Sequence, residues 1–280
     1  MALPRNGFEP QFEEILGGAP ALGKAALLPW DTEIFGFPVA LFCVGDEAPD
    51  NAIRKDVAPH FSSWMMHHEV SVCGCVLPAG NVFWKSFLPT LGFRFVDFAI
   101  EARLRDLSSA TLPPVRAALR NPQPGDQGAI ETLAARSFAH GRYFADPLFP
   151  RDLAQRRYKR WVANALAEAN GPDRVYVLGE PGSVNGFFHV AVQGHEADLR
   201  LAAIAPEFQS TGMGFDLYIS VLHELKNLGV RRIVTSISAA NTAVMNVYSV
   251  LGFRFAHPEI IYHWHAPAFA NGILEGCLEF

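Results

Sequence analysis

The sequence predicts an α/β protein built on a mixed sheet. Three observations carry that prediction. From residue 115 onward the chain reads β-α-α-β-β-β-α-β-α-β, with β-branched runs alternating with stretches of helical spacing. Half of the 280 residues are hydrophobic and 18% are charged, which suits a packed core and does not suit a disordered or fibrous chain. At about 100–200 residues per domain, the length fits one large or two small domains.

Residues 106–114 (DLSSATLPP) are polar, then Pro-rich, and read as a linker. This sets the expected division: residues 1–105 as a first domain, 106–114 as the linker and 115–280 as a second domain. In the second, 115–120 suits a strand. Residues 126–140 have helical spacing, with Ile130, Leu133, Ala134 and Phe138 on one face and Asp126 as N-cap. Pro150 opens a helix over 151–169, striped by Leu153, Tyr158, Trp161, Val162 and Leu166. Strands follow at 174–180, 184–192 and 197–204, broken by Pro181-Gly182 and Gln193-Gly194-His195 as hairpin turns. A helix over 212–227 ends before Gly229, a C′ residue. A β-branched strand at 230–238, a short helix at 242–251 and a last strand at 253–264 complete the order.

Net charge is −5, and no run of Lys or Arg marks a nucleic-acid or anionic-membrane surface. The four cysteines are Cys43, Cys73, Cys75 and Cys277. Cys73-Gly74-Cys75 offers two thiolates without further ligands at metal-site spacing, so buried thiols in a reducing compartment are expected and a metal is not. The start, Met1-Ala2-Leu3-Pro4-Arg5-Asn6, lacks a signal-peptide pattern, and no window of about 18 apolar residues occurs. A cytoplasmic protein without a membrane span is the expectation. The apolar Ile260-Ile261-Tyr262 offers a strand for extending a sheet into a homodimer.

An internal repeat links the halves. Leu91-Gly92-Phe93-Arg94-Phe95 recurs 160 residues later as Leu251-Gly252-Phe253-Arg254-Phe255, and the same offset pairs Asn81 with Asn241. Duplication explains both. The first copy has no Gly-rich loop, and Leu88 stands where Tyr248 does, so one active site per chain is expected.

Gln209-Ser210-Thr211-Gly212-Met213-Gly214 follows a strand and opens a helix. Glycines permit a tight turn, successive amides face one concavity and the helix N-terminus adds partial positive charge, which together suit a pyrophosphate. The run is neither a P-loop, lacking the Lys-Ser/Thr pair, nor a dinucleotide fingerprint, lacking the third glycine. Asn241 then opens the next helix, Tyr248 stands seven residues on, and Gly252-Phe253 closes it. This combination resembles the GNAT superfamily of N-acetyltransferases. Val244 departs from its usual Ala, and Ser249 from its frequent Glu. The motif at 28–38 (LPWDTEIFGFP), with Arg142-Tyr143-Phe144-Ala145-Asp146-Pro147, resembles the dTDP-fucosamine acetyltransferase family, whose members acetylate nucleotide-linked amino sugars.

The resemblance implies a GNAT fold in the C-terminal half, a reduced, degenerate GNAT-like N-terminal domain, and acetyl-CoA as cosubstrate. Ile204, Gln209, Ser210, Thr211, Gly212, Met213, Gly214 and Asn241 would hold it. Backbone amides at residues 203–205 would polarise the thioester carbonyl. Tyr248 matches the general acid, since a phenol can return a proton to a departing thiolate; a core tyrosine is the other reading. His189 suits a base or a buried structural histidine. Asp146 suits a substrate contact or a turn before Pro147. Asp31, Phe37 and Arg142 are the remaining substrate-side candidates. Two rivals share the motif: a GNAT acting on another small amine or a protein N-terminus, and a non-catalytic acyl-CoA-binding protein, against which the presence of both Tyr248 and Asn241 argues.

Overall fold

A computed structural model describes residues 10–15, 23–45, 51–168 and 171–270; Cys277 lies outside them. In chain order the elements begin with β1 (Glu13–Glu14), β2 (Gly23–Leu27), α1 (Pro29–Phe35), β3 (Val39–Val44), α2 (Asn51–His67), β4 (Val72–Pro78), α3 (Val82–Phe87) and β5 (Arg94–Leu104). They continue with β6 (Leu119–Arg120), α4 (Gln127–Ser137), α5 (Arg142–Ala145), α6 (Arg151–Ala167), β7 (Asp173–Leu178), β8 (Gly186–Gln193) and β9 (Glu196–Ile204). The last are α7 (Met213–Asn227), β10 (Arg232–Ser238), α8 (Thr242–Val250) and β11 (Arg254–His265). The mixed α/β class is as the sequence predicts. No helix among the described residues is long and apolar enough to cross a membrane.

The chain forms two compact units. The first takes in Met1–Ala99, Arg142–Leu153 and His257–Phe280; the second takes in Ile100–Gly141 and Ala154–Ala256. In the first unit β2 pairs antiparallel with β3, β3 parallel with β4, and β4 antiparallel with β11. Val57, Phe61 and Met65 of α2 and Trp84 of α3 pack with Phe42, Cys73, Cys75 and Tyr262 into its core. Both thiols of the Cys73-Gly74-Cys75 run are therefore buried in a strand. Ile260-Ile261-Tyr262 pair with Leu77, Val76 and Cys75, and β11 neighbours β5 on its other side, so the stretch expected to offer a dimer edge is already paired.

In the second unit β6, β7, β8 and β9 pair antiparallel in succession, and β10 joins β9 in parallel. The apolar stripe of α7, with Tyr248 of α8, covers one face. Ile130 and Leu133 of α4 and Val162 of α6 cover the other.

One segment is anchored, and two local expectations are corrected. Residues 106–114 form no helix or strand but are pinned to the second unit: Leu107 is fully buried, and its amide donates to Arg231 O at 2.7 Å. Lys226 Nζ donates to Ala110 O at 3.0 Å along the same stretch. The strand expected at 115–120 shrinks to two residues, because α7 binds this backbone with side chains such as Ser220, whose Oγ donates to Ala117 O. Asp126 does not cap α4. Its carboxylate accepts from Gln123 N at 2.7 Å and Arg120 Nη2 at 3.0 Å, closing a 3₁₀ turn before the helix.

The repeated pentapeptide marks the same local geometry twice. Asn81 Oδ1 accepts from Trp84 N, and Asn241 Oδ1 from Val244 N. Gly92 and Gly252 both have left-handed backbones, at φ +90° and +81°. Phe93 N then reaches back to Leu88 O, as Phe253 N does to Tyr248 O.

Candidate active site

The site begins with an irregularity in β9. His189 of β8 pairs with Leu201, and Val190 with Leu199, so Arg200 is an extra residue in the ladder. Such a bulge reverses the alternation of side chains and bends the strand. Leu199 accordingly packs on the α7 side, whereas Leu201 and Ala203 pack on the α4–α6 side. Beyond it β9 leaves its parallel neighbour. The β9–β10 register runs only from Glu196↔Arg232 to Asp198↔Val234, although both strands continue. Thr235 Oγ1 donates to Leu199 O at 2.7 Å, tying the strands where they part. The opening is a cleft walled by residues 199–204 of β9 and 235–238 of β10.

Tyr248 and Asn241 both line that cleft. Tyr248 is 2% exposed, held edge-on to Tyr218 at 5.4 Å between ring centroids and against Phe253 at 4.7 Å. Burial first, then the neighbouring Tyr218, pushes its phenol well above the ordinary value, so it is a neutral O–H donor at any physiological pH. Asn241 caps α8, its Oδ1 accepting from Val244 N, and it lines the cleft.

The turn before α7 forms the mouth. Ile204, Gln209, Ser210 and Gly214 line the cleft; Thr211, Gly212 and Met213 complete the turn without forming its wall. Ser210 and Gly212 are both left-handed, at φ +63° and +88°. Left-handed residues alternating with ordinary ones turn successive amides toward one side, the arrangement that binds anions. Gln209 Nε2 donates to Ile204 O at 3.3 Å and Thr211 Oγ1 to Phe208 O at 2.7 Å, which fixes the turn against β9. Of the amides at residues 203–205, that of Ala205 is already given to Asn185 O at 2.8 Å.

His189 lies elsewhere. It is fully buried on the α6 side, edge-on to Trp161, with Nε2 2.7 Å from Asp173 Oδ1, and it does not line the cleft. Burial lowers its pKa despite the carboxylate, so the ring is neutral. Strict alternation along β8 sends Phe188 toward Tyr218 and its neighbour His189 to the opposite face. The expectation of a catalytic base here does not fit.

The substrate-side candidates converge within the first unit. Asp31 in α1 accepts from Tyr143 Oη at 2.9 Å and Arg142 Nη2 at 3.3 Å, and all three are buried. Phe37 belongs to an aromatic group with Phe35, Phe149 and Phe269. Asp146 Oδ1 accepts from Leu148 N at 3.0 Å, while Oδ2 faces His263 Nδ1 at 2.6 Å and His265 Nε2 at 3.0 Å. Burial works to raise the Asp146 pKa, but the two histidines prevail and hold it well below the carboxylate range. The two histidines escaped the sequence reading. Their signal was the alternation His263-Trp264-His265, which puts both rings on one face of β11 just after its apolar Ile260-Ile261-Tyr262.

Residues 138–253 match the model of the acetyltransferase (GNAT) family. Over 143 residues the chain is 29% identical to the spore coat polysaccharide biosynthesis protein SpsD of Bacillus subtilis, covering 51% of this chain and 48% of that protein. Over 120 residues it is 31% identical to the mycothiol acetyltransferase of Nocardia farcinica, covering 40% and 37%. The chain thus spans about half, or less, of the length of these relatives. A GCN5-related N-acetyltransferase from Sphaerobacter thermophilus shares the fold with a TM-score of 0.63 at 14% identity, over 87% of this chain and 76% of that one.

Proposed function

We propose that this chain, whose residues 138–253 match the acetyltransferase (GNAT) family, is an enzyme that moves the acetyl group of acetyl-CoA to the amine of a nucleotide-linked amino sugar. The observation that carries this is the parted strand pair, with Tyr248 and Asn241 on its walls and the left-handed turn of Ser210 and Gly212 at its mouth. The turn would take the pyrophosphate, and the gap between β9 and β10 would take the pantetheine arm. A backbone amide among residues 203 and 204 would meet the thioester carbonyl, which gains negative charge as the amine nitrogen attacks. The C–S bond then breaks, the Tyr248 hydroxyl passes its proton to sulfur, the nitrogen loses a proton to solvent, and solvent returns one to the phenolate. Asp31 and Arg142 are spent on each other, so their part is to position the first unit's cluster rather than to bind a diphosphate directly.

The sugar acceptor is supported by the motifs at residues 28–38 and 142–147 and by the polysaccharide role in the name of SpsD. The mycothiol acetyltransferase relatives favour a second reading, another small amine as acceptor. A thermal-shift panel of nucleotide-linked amino sugars, run with CoA present, separates the two. A selective rise in melting temperature supports the first reading. No rise with any of them, together with turnover of a simple amine, overturns it in favour of the second.

A further inference from the structure

We propose that Asp146, His263 and His265 bind a divalent transition-metal ion of the zinc class. Each supplies one ligand atom, and the three atoms lie within 4.8 Å of one another. Zinc bonds of about 2.0–2.1 Å place tetrahedral ligand atoms about 3.4 Å apart, so side-chain shifts of under about 1 Å close the site. Two imidazole nitrogens and one carboxylate oxygen suit zinc and its first-row neighbours, and do not suit calcium or magnesium, which take oxygen ligands. Three protein ligands leave one position open for water or a ligand atom, as in zinc sites that do chemistry.

The geometry of the group calls for a cation. One carboxylate oxygen, Asp146 Oδ2, faces both rings. His263 Nδ1 makes a hydrogen bond with it. His265 Nε2 lies 3.0 Å away yet forms no hydrogen bond, and it is a buried nitrogen on a side chain only 4% exposed. Buried polar atoms rarely go without a partner. A metal at the centre of the three would satisfy all of them at once.

The surroundings hold the ligands in place. Leu148 N occupies the other oxygen of Asp146, which turns Oδ2 toward the rings. Phe269 stacks on His265 at 5.7 Å, and Tyr143 packs against His263 at 5.5 Å. Supporting contacts of this kind keep metal ligands oriented. Tyr262 and Trp264, which alternate with the two histidines along β11, pack toward the core, so both rings lie on the opposite face of the strand. The nearby cation Arg142 is paired with Asp31, which limits its repulsion of a metal.

The test uses the full chain, stripped with a chelator and titrated calorimetrically with Zn²⁺ alone. One equivalent binds, and His265→Gln and Asp146→Asn each weaken binding by more than about 100-fold, beyond the 10–100-fold typical of supporting residues. A Cys73→Ser/Cys75→Ser variant keeps the affinity. Absence of binding, wild-type affinity in either ligand variant, or loss in the cysteine variant overturns the proposal. If a ligand variant does not fold, Co²⁺ added to the wild type decides. Visible bands of a low-coordinate ion without a thiolate charge-transfer band support the site, and a thiolate band or no visible bands overturn it.

Discussion

Replacing Tyr248 with Phe removes one oxygen and little else. The ring keeps its edge-on contact with Tyr218 at 5.4 Å and its packing on Phe253 at 4.7 Å. What is lost is the hydroxyl, whose interactions include Tyr218 and Thr235. A buried neutral hydrogen bond contributes about 0.5–1.5 kcal/mol net, so the melting temperature falls by about 1–6 °C. The effect on rate is larger. A positioned general acid contributes about 10²–10⁴-fold, or about 2.7–5.4 kcal/mol of barrier. The two effects are therefore separable in one variant. Thiol release from acetyl-CoA gives kcat, and calorimetry gives the Kd of acetyl-CoA. We expect kcat to fall about 10²–10⁴-fold with Kd changed by less than about threefold. A kcat within about threefold of wild type would refute the role of the phenol, leaving Tyr248 as a packing residue and thiolate departure unassisted.

Three further outcomes follow from the same geometry. Gly214→Ala places a Cβ 3.7 Å from Ile204 Cγ1, an ordinary contact in the first turn of α7, so melting is unchanged or rises while the Kd of acetyl-CoA weakens about tenfold or more if the pyrophosphate lies on that turn; unaltered affinity places the phosphates elsewhere. Leu107→Ala costs about 2–5 kcal/mol in a denaturant melt because the residue is fully buried, whereas a free linker residue would cost under about 0.5 kcal/mol. Asp126 has its pKa lowered chiefly by the Arg120 hydrogen bond. Because the folded value is the depressed one, its contribution is present above the unfolded pKa of about 3.9 and is lost as pH falls through the folded value. The stability gap between wild type and Asp126→Asn is then flat from about pH 5 to 8 and narrows below about pH 4; a gap that widens on acidification contradicts the Arg120 pairing.

Elements whose pattern is local were legible in the sequence. The stripe of α7, the stop at Gly229 and the hairpins around β8 follow from spacing and turn chemistry, and Asn241 was identifiable as a cap from its place before a short apolar helix. Features set by tertiary partners were not. Nothing in the residues around Arg200 announces a bulge, because what makes it extra is the register of β8 against β9. The sequence leaves His189 open between a base and a buried structural histidine, because a histidine in a strand looks the same from either face; Trp161 and Asp173 show which face it takes. Asp146 and His263 are 117 residues apart, and no spacing rule joins them. Asp126 missed its helix because Arg120 and the Gln123 amide claimed the carboxylate first.

The early parting of β9 from β10 has a consequence for the protein's handling. A strand that has lost its neighbour presents backbone donors and acceptors to any other chain, and sheets normally guard such edges with charge, proline or cover. Residues 199–204 read Leu-Arg-Leu-Ala-Ala-Ile, with a single charge, and that arginine is drawn off to Asp173. The second unit therefore carries an apolar strand that lacks its β10 partner over residues 199–204. A cosubstrate arm lying in the gap would cap it. If the proposed cosubstrate lies there, light scattering at elevated temperature shows aggregation delayed by CoA alone; no delay contradicts that placement.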